Sequence, residues 1–130
     1  MSQKKWNVIN SDQRLPMQNR FKATFAPGSS IKPIIAAIGL SQNKFRANDD
    51  FGNSGKRWQK DKSWGGYYVT TLHDYNGHNL QNAMIYSDNI YFAKAALKIG
   101  KDTLKDQLDN LGFGESLKFT FGTKRFILWK

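Results

Sequence analysis

The stretch 26–40, APGSSIKPIIAAIGL, sets a lysine and a proline inside an otherwise apolar run. Proline lacks the N–H that an interior helical residue donates, but it does little harm in the first turn, where those groups have no intrahelical partner. Pro33 therefore dates a helix start to about Ser29 or Ser30, with Pro27 and Gly28 supplying the turn before it. Ser29 is expected at or near the N-cap, where a serine oxygen accepts a first-turn N–H. Ile31, Ile34, Ile35 and Ile38, with Ala36 and Ala37, make the helix apolar nearly all round, so it is expected to be buried.

Lys32 decides whether this is more than a capped helix. Three residues after Ser29, it shares a helical face with the hydroxyl and lies within its reach. At the mouth of a buried helix a lysine is desolvated and close to the positive end of the helix dipole. Both effects lower its pKa and make a neutral amine available as a base. That activates a serine nucleophile, and first-turn N–H groups can stabilise an oxyanion. The spacing alone is weak, because Ser-x-x-Lys also occurs at Ser2/Lys5 and Ser41/Lys44. Only the middle copy has the turn and the apolar body behind it. On these residues alone, a plain cap beside an ordinary lysine stays open.

Further along, YSDNIYFAKAALKIG (86–100) places Ser87, Asp88 and Asn89 at the junction of two helical patterns. All three types favour N-caps. Paired with Ser29 and Lys32 they gain a chemical reading: a second hydroxyl relays a proton and an asparagine amide holds a peptide group. Ser-x-x-Lys followed by Ser-Asp-Asn gives two of the three marks of penicillin-binding proteins and class A β-lactamases. The third, Lys-Thr/Ser-Gly, is nowhere in the chain. Gly122, Thr123 and Lys124 carry its letters in the wrong order.

The rest of the sequence reads as a weak strand at 4–10, an irregular excursion over 41–66, a short strand at 67–72 and helices at 80–87 and 90–100. A further helix at 101–112 has Leu104, Leu108 and Leu111 on one face, and 118–130 looks strand-like. The 130 residues suffice for one modest domain. A net charge of +10 favours a polyanionic neighbour such as nucleic acid, an anionic membrane or an anionic cell-wall polymer. A nucleic-acid-binding module is the rival from another class. It is set aside, and no nucleic-acid partner is expected, because the basic residues form no stripe and no binding motif is present. Cysteine is absent, excluding disulfides and thiolate metal sites. His73, His78 and Asp74 lack further spaced ligands, so they read as loop residues and no metal is expected. Trp58 and Trp64 flank a lysine-rich turn and read as packing of an irregular loop. The apolar run 34–40 is far too short to span a bilayer, and 1–6 leads into polar sequence without an apolar leader.

Three runs, NRFKATFAPGSSIKPIIAAIGL (19–40), GKRWQKDKSWGGYYVT (55–70) and LQNAMIYSDNIYFAKAALKIG (80–100), closely resemble the transpeptidase domain of class B penicillin-binding proteins. Residues 58–70 look most like the low-affinity subgroup that includes the methicillin-resistance transpeptidase. The resemblance implies an α+β fold, with this chain supplying the mainly helical part of a serine β-lactamase-like domain whose central sheet is largely missing. It implies Ser29 as the acylated nucleophile, Lys32 as its general base, Ser87 as proton shuttle, Asn89 as the group that binds a substrate amide, and Asp88 as a structural residue. The implied partners are peptidoglycan stem peptides ending in D-Ala-D-Ala and β-lactams that mimic them, with no metal or cofactor. The implied location is extracytoplasmic, with membrane attachment only through an anchor absent from this sequence.

The likeness covers roughly 4–115, so 1–115 is expected to be a partial transpeptidase domain and 116–130 a divergent basic tail. A truncated or frameshifted gene is the expected origin. The missing Lys-Thr-Gly strand supplies half of the oxyanion hole, and losing one such donor lowers rates by about 10²–10³, so impaired turnover is expected. A non-catalytic β-lactam-binding or sensing remnant is the alternative reading.

Overall fold

The computed structural model describes residues 26–115 together with 2–4 and 7. Pro27–Leu111 forms one compact unit; the other comprises Met1–Ala26 and Gly112–Lys130. In the latter, Gln3, Lys4 and Asn7 have helical backbone, and Gln3 donates a side-chain hydrogen bond to Asn7 one turn on at 3.4 Å. The strand expected at 4–10 is therefore wrong at Lys4 and Asn7. The strand-like segment 118–130 lies outside the described residues.

The Pro27–Leu111 unit is α+β and mostly helical, as expected. A 3-10 turn, Gly28–Ile31, leads directly into helix α1, Lys32–Ser41. Two-residue strands β1 (Arg57–Trp58) and β2 (Val69–Thr70) flank a 3-10 turn at Lys62–Trp64. Helices α2 (Leu80–Ile85), α3 (Asn89–Ile99) and α4 (Lys101–Asn110) follow. α2 and α3 each start at a side-chain cap, Asn79 and Asp88, and α3 ends where Gly100 turns left-handed at φ +85°.

The core forms where α1 packs on α3, with α2 closing one side. Ala83 and Ala95 are wholly buried, and small side chains there let the helices approach. A Cβ on Gly39 would collide with the Phe45 ring, so α1 carries glycine where that ring crosses it. Phe45 meets Phe51 edge-on at 5.5 Å, and Phe51 stacks on Tyr91 at 4.3 Å, extending the core under the irregular 41–66 segment. From α4, Leu104 and Leu108 pack against this cluster. Leu111 does not: α4 stops at Asn110 and Leu111 is 60% exposed, which corrects the three-leucine face.

β1 and β2 pair antiparallel, with Arg57 opposite Thr70 and Trp58 opposite Val69. The 3.1 Å bond from Thr71 N–H to Lys56 C=O makes that neighbouring pair a hydrogen-bonded one. By alternation Arg57 and Thr70 are then the non-bonded pair, whose own N–H and C=O groups point away from the partner strand. Trp58 and Trp64 meet edge to face at 5.7 Å, which is the loop packing expected of them. Among the described residues, no helix is long and apolar enough to cross a membrane.

Candidate active site

Ser29 is not the N-cap of α1. Gly28 takes φ +58°, which a glycine reaches without strain, and the chain winds tightly through Gly28–Ile31 before α1 opens. No side-chain cap closes either element. The serine that bonds the local backbone is Ser30, whose hydroxyl donates to Pro27 C=O at 2.6 Å. The Ser29 hydroxyl is thereby left to face Lys32. Pro33 sits in the first turn of α1, as its missing N–H requires.

Lys32 is 7% exposed, and its Nζ lies inside a ring of four oxygens. It donates to Ser87 C=O at 2.7 Å and to Asn89 Oδ1 at 2.7 Å, and it lies 2.9 Å from Ser87 Oγ and 3.2 Å from Ser29 Oγ. Ser87 Oγ stands 3.1 Å from Ser29 Oγ. Asn89 Nδ2 donates to Thr70 C=O at 3.0 Å, which fixes the amide so that its oxygen faces the lysine. Valence then decides the chemistry. The Ser87 carbonyl and Asn89 Oδ1 only accept, so each takes an N–H from Lys32. The third position on nitrogen, an N–H in the ammonium or a lone pair in the amine, faces the two hydroxyls. Hydroxyls donate as well as accept, so this one arrangement serves both protonation states. Burial holds the Lys32 pKa below the ordinary lysine value, opposed by the negative charge of Asp88.

The turn that presents Ser87 is strained. Ser87 is left-handed at φ +51°, an uncommon conformation for a residue with a side chain. It is pinned by Ser87 N–H to Met84 C=O at 3.3 Å and Asp88 N–H to Ala83 C=O at 2.9 Å. Asp88, 2% exposed, caps α3: Oδ1 accepts from Ile90 N–H at 2.8 Å and Tyr91 N–H at 3.1 Å. The Tyr75 hydroxyl donates to its Oδ2 at 2.6 Å, and His78 Nδ1 lies 3.5 Å from the same atom. Burial, then the bond to Asp88, pushes the Tyr75 pKa up, so the phenol stays protonated and donating. The sequence reading did not single out Tyr75 and took His78 for a plain loop residue, so it missed their contacts with Asp88. The available signal was one aromatic inside the polar loop 73–79. His78 is buried and stacks on Tyr75 at 4.3 Å, while His73 lies 5.9 Å from the Tyr86 ring. Among the described residues no group of three metal-binding side chains forms.

The five residues singled out in the sequence thus meet: Ser29, Ser87 and Asn89 around the Lys32 amine, with Asp88 capping α3 between Ser87 and Asn89. The family model for the penicillin binding protein transpeptidase domain matches residues 1–125. The chain belongs to that family. This transpeptidase-family chain is 46% identical over 121 residues to Penicillin-binding protein 3 of Bacillus subtilis, covering 92% of the chain and 18% of that protein. It is 32% identical over 109 residues to the probable peptidoglycan D,D-transpeptidase PbpC of Pseudomonas aeruginosa, covering 81% of the chain and 18% of that protein. With the peptidoglycan D,D-transpeptidase MrdA of Escherichia coli it shares 24% identity over 123 residues, 88% of the chain and again 18% of the relative. It therefore spans less than a fifth of the length of the curated relatives it matches.

Proposed function

We propose that this chain carries the acyl-transfer half of a peptidoglycan transpeptidase site. Lys32 takes the Ser29 proton as Oγ bonds the carbonyl carbon of a stem peptide ending in D-Ala-D-Ala, or of a β-lactam ring. The carbonyl carbon–nitrogen bond breaks, and Ser87 passes a proton from Lys32 to the leaving nitrogen. An acceptor amine from a neighbouring strand then releases the acyl group from Ser29; a β-lactam instead leaves it acylated. Asn89 keeps one amide N–H and one lone pair for the substrate's peptide group, and Asp88 holds the turn. The observation that carries this reading is the Lys32 nitrogen, whose third position is turned to the Ser29 and Ser87 hydroxyls by two neighbours that can only accept.

The place of work is outside the cytoplasmic membrane, where peptidoglycan lies. The low-affinity subgroup rests on the likeness of residues 58–70. In a polypeptide of these 130 residues alone, one missing oxyanion donor slows acylation by about 10²–10³. Intact-mass spectrometry after overnight incubation with a penicillin tests the reading. Wild type gains one penicillin mass, mapped to Ser29, and Ser29→Ala gains none. An unmodified wild type, or an adduct that survives Ser29→Ala, removes it.

A further inference from the structure

One buried side chain touches both neighbours of the strained Ser87. The Tyr75 ring stacks on Tyr86 at 4.4 Å, with the two planes 20° apart. Its hydroxyl donates to Asp88 Oδ2 at 2.6 Å. Tyr86 and Asp88 are the residues on either side of Ser87. A second stack, on His78 at 4.3 Å, steadies the same ring. The His78 imidazole also approaches the carboxylate oxygen that Tyr75 holds. Burial and two stacked neighbours leave the phenol little rotamer freedom, so its oxygen stays presented to Asp88.

The loop that bears Tyr75 is itself fastened. Asn82 Nδ2 of α2 donates to Gly77 C=O at 2.8 Å and to Asn76 C=O at 3.3 Å. His78 N–H donates to Asp50 Oδ2 at 3.2 Å, and His78 C=O accepts from Phe51 N–H at 3.1 Å. Asn53 Nδ2 adds a bond to Asp74 Oδ1 at 3.1 Å. Tyr75 is thus mounted on α2 and on the 41–66 segment, as a group that must hold another in place requires. Ser87 supplies the load, because its left-handed main chain favours relaxation. Its C=O and Oγ both face the Lys32 amine, at 2.7 and 2.9 Å. Relaxation of this one residue would therefore carry off two of the amine's four oxygens together. The cap bonds of Asp88 to α3 fix the chain on one side of Ser87, whereas Tyr75 reaches both sides.

We propose that Tyr75 is a positioning residue of the acyl-transfer site, gripping Tyr86 and Asp88 so that Ser87 between them keeps its hydroxyl against Lys32. This rests on the reading of Ser29, Lys32 and Ser87 as the acyl-transfer groups. Two variants of the full chain test it. Tyr75→Phe keeps both stacks and loses the bond to Asp88. Tyr86→Ala loses the other grip at an exposed position, where the fold is not at risk. NMR of the folded chain without ligand reads the turn directly, through the Ser87 carbon shifts and the contact between the Lys32 and Ser87 side chains. In each variant the shifts are expected to leave left-handed values and the contact to weaken, while contacts between α1 and α3 in the core persist. Timed intact-mass spectrometry with a penicillin reads the consequence. Tyr75→Phe is expected to slow adduct formation about tenfold at unchanged final stoichiometry, a fraction of what a positioned acid–base partner contributes. In a Ser87→Ala chain, Tyr75→Phe is expected to slow it no further, because the residue it acts through is gone. A Ser87 turn unchanged in either variant, or losses of rate that multiply when Tyr75→Phe and Ser87→Ala are combined, overturns the proposal. A wild type that takes up no penicillin instead removes the acyl-transfer reading, and the ligand-free spectra alone then decide whether Tyr75 holds Ser87 to Lys32.

Discussion

Replacing Asp88 by alanine separates what this carboxylate does for the fold from what it does for the chemistry. The side chain holds two first-turn N–H groups of α3, and loss of a helix cap typically destabilises by about 1 kcal/mol. Alanine also strips the buried Tyr75 hydroxyl of its acceptor, and an unsatisfied buried polar group adds about 1–3 kcal/mol. The sum, about 2–4 kcal/mol, is a large fraction of the 5–15 kcal/mol typical of a native domain. Urea unfolding followed by tryptophan fluorescence reads it as a lower midpoint at unchanged slope. Asp88→Asn is the informative companion, because its amide oxygen still accepts from Ile90 and Tyr91 N–H. It recovers the cap's share of the loss, while removing the charge that raises the Lys32 pKa. An Asp88→Ala midpoint within experimental error of wild type, or an asparagine no better than alanine, refutes the reasoning that the cap and the Tyr75 bond hold this turn.

Other substitutions test the packing and the amine. Gly39→Ala gains helix propensity but drives a methyl into Phe45; we expect a net loss of about 1–3 kcal/mol, seen as a lower melting temperature. Tyr91→Phe deletes a buried hydroxyl that has no partner among the described residues, and the melting temperature is expected to hold or rise. For Lys32 the sign runs toward the neutral amine: its folded pKa lies below 10.5, so the unfolded chain binds more protons between the two values. Its contribution to stability therefore grows as pH rises through the folded pKa and is lost as pH falls through it. Acylation of Ser29 is expected to rise with pH and level off below 10.5, read from the pH dependence of penicillin adduct formation. A profile still climbing at the free-lysine value contradicts a depressed Lys32.

The sequence made α1 legible because Pro33 tolerates only the first turn and the isoleucines behind it leave no polar face. α3 was legible because serine, aspartate and asparagine end one helix and begin another. The 3-10 wind at Gly28–Ile31 was not, since a serine after a Pro-Gly turn has the same letters whether it caps a helix or is released from capping. That difference matters to the site, because a capping Ser29 would have its hydroxyl occupied. Lys32 was placed correctly beside Ser29, yet its contacts with Ser87 and Asn89 span 55 and 57 residues, beyond any local pattern. The approach of Tyr75 and His78 to Asp88 was not legible for the same reason: in HDYNGHN nothing local marks a side chain that turns inward to meet a carboxylate. The strand expected across 4–10 rested on weak alternation, which a helical stretch satisfies equally well over so few residues.

The left-handed backbone at position 87 sets conformational ease against reactivity. An L-residue holds such a geometry at about 1–2 kcal/mol, a penalty that glycine escapes. Glycine at 87 would relax the turn and at the same time remove the hydroxyl that faces Lys32 and Ser29, so an easier main chain and the oxygen cluster exclude each other at this position.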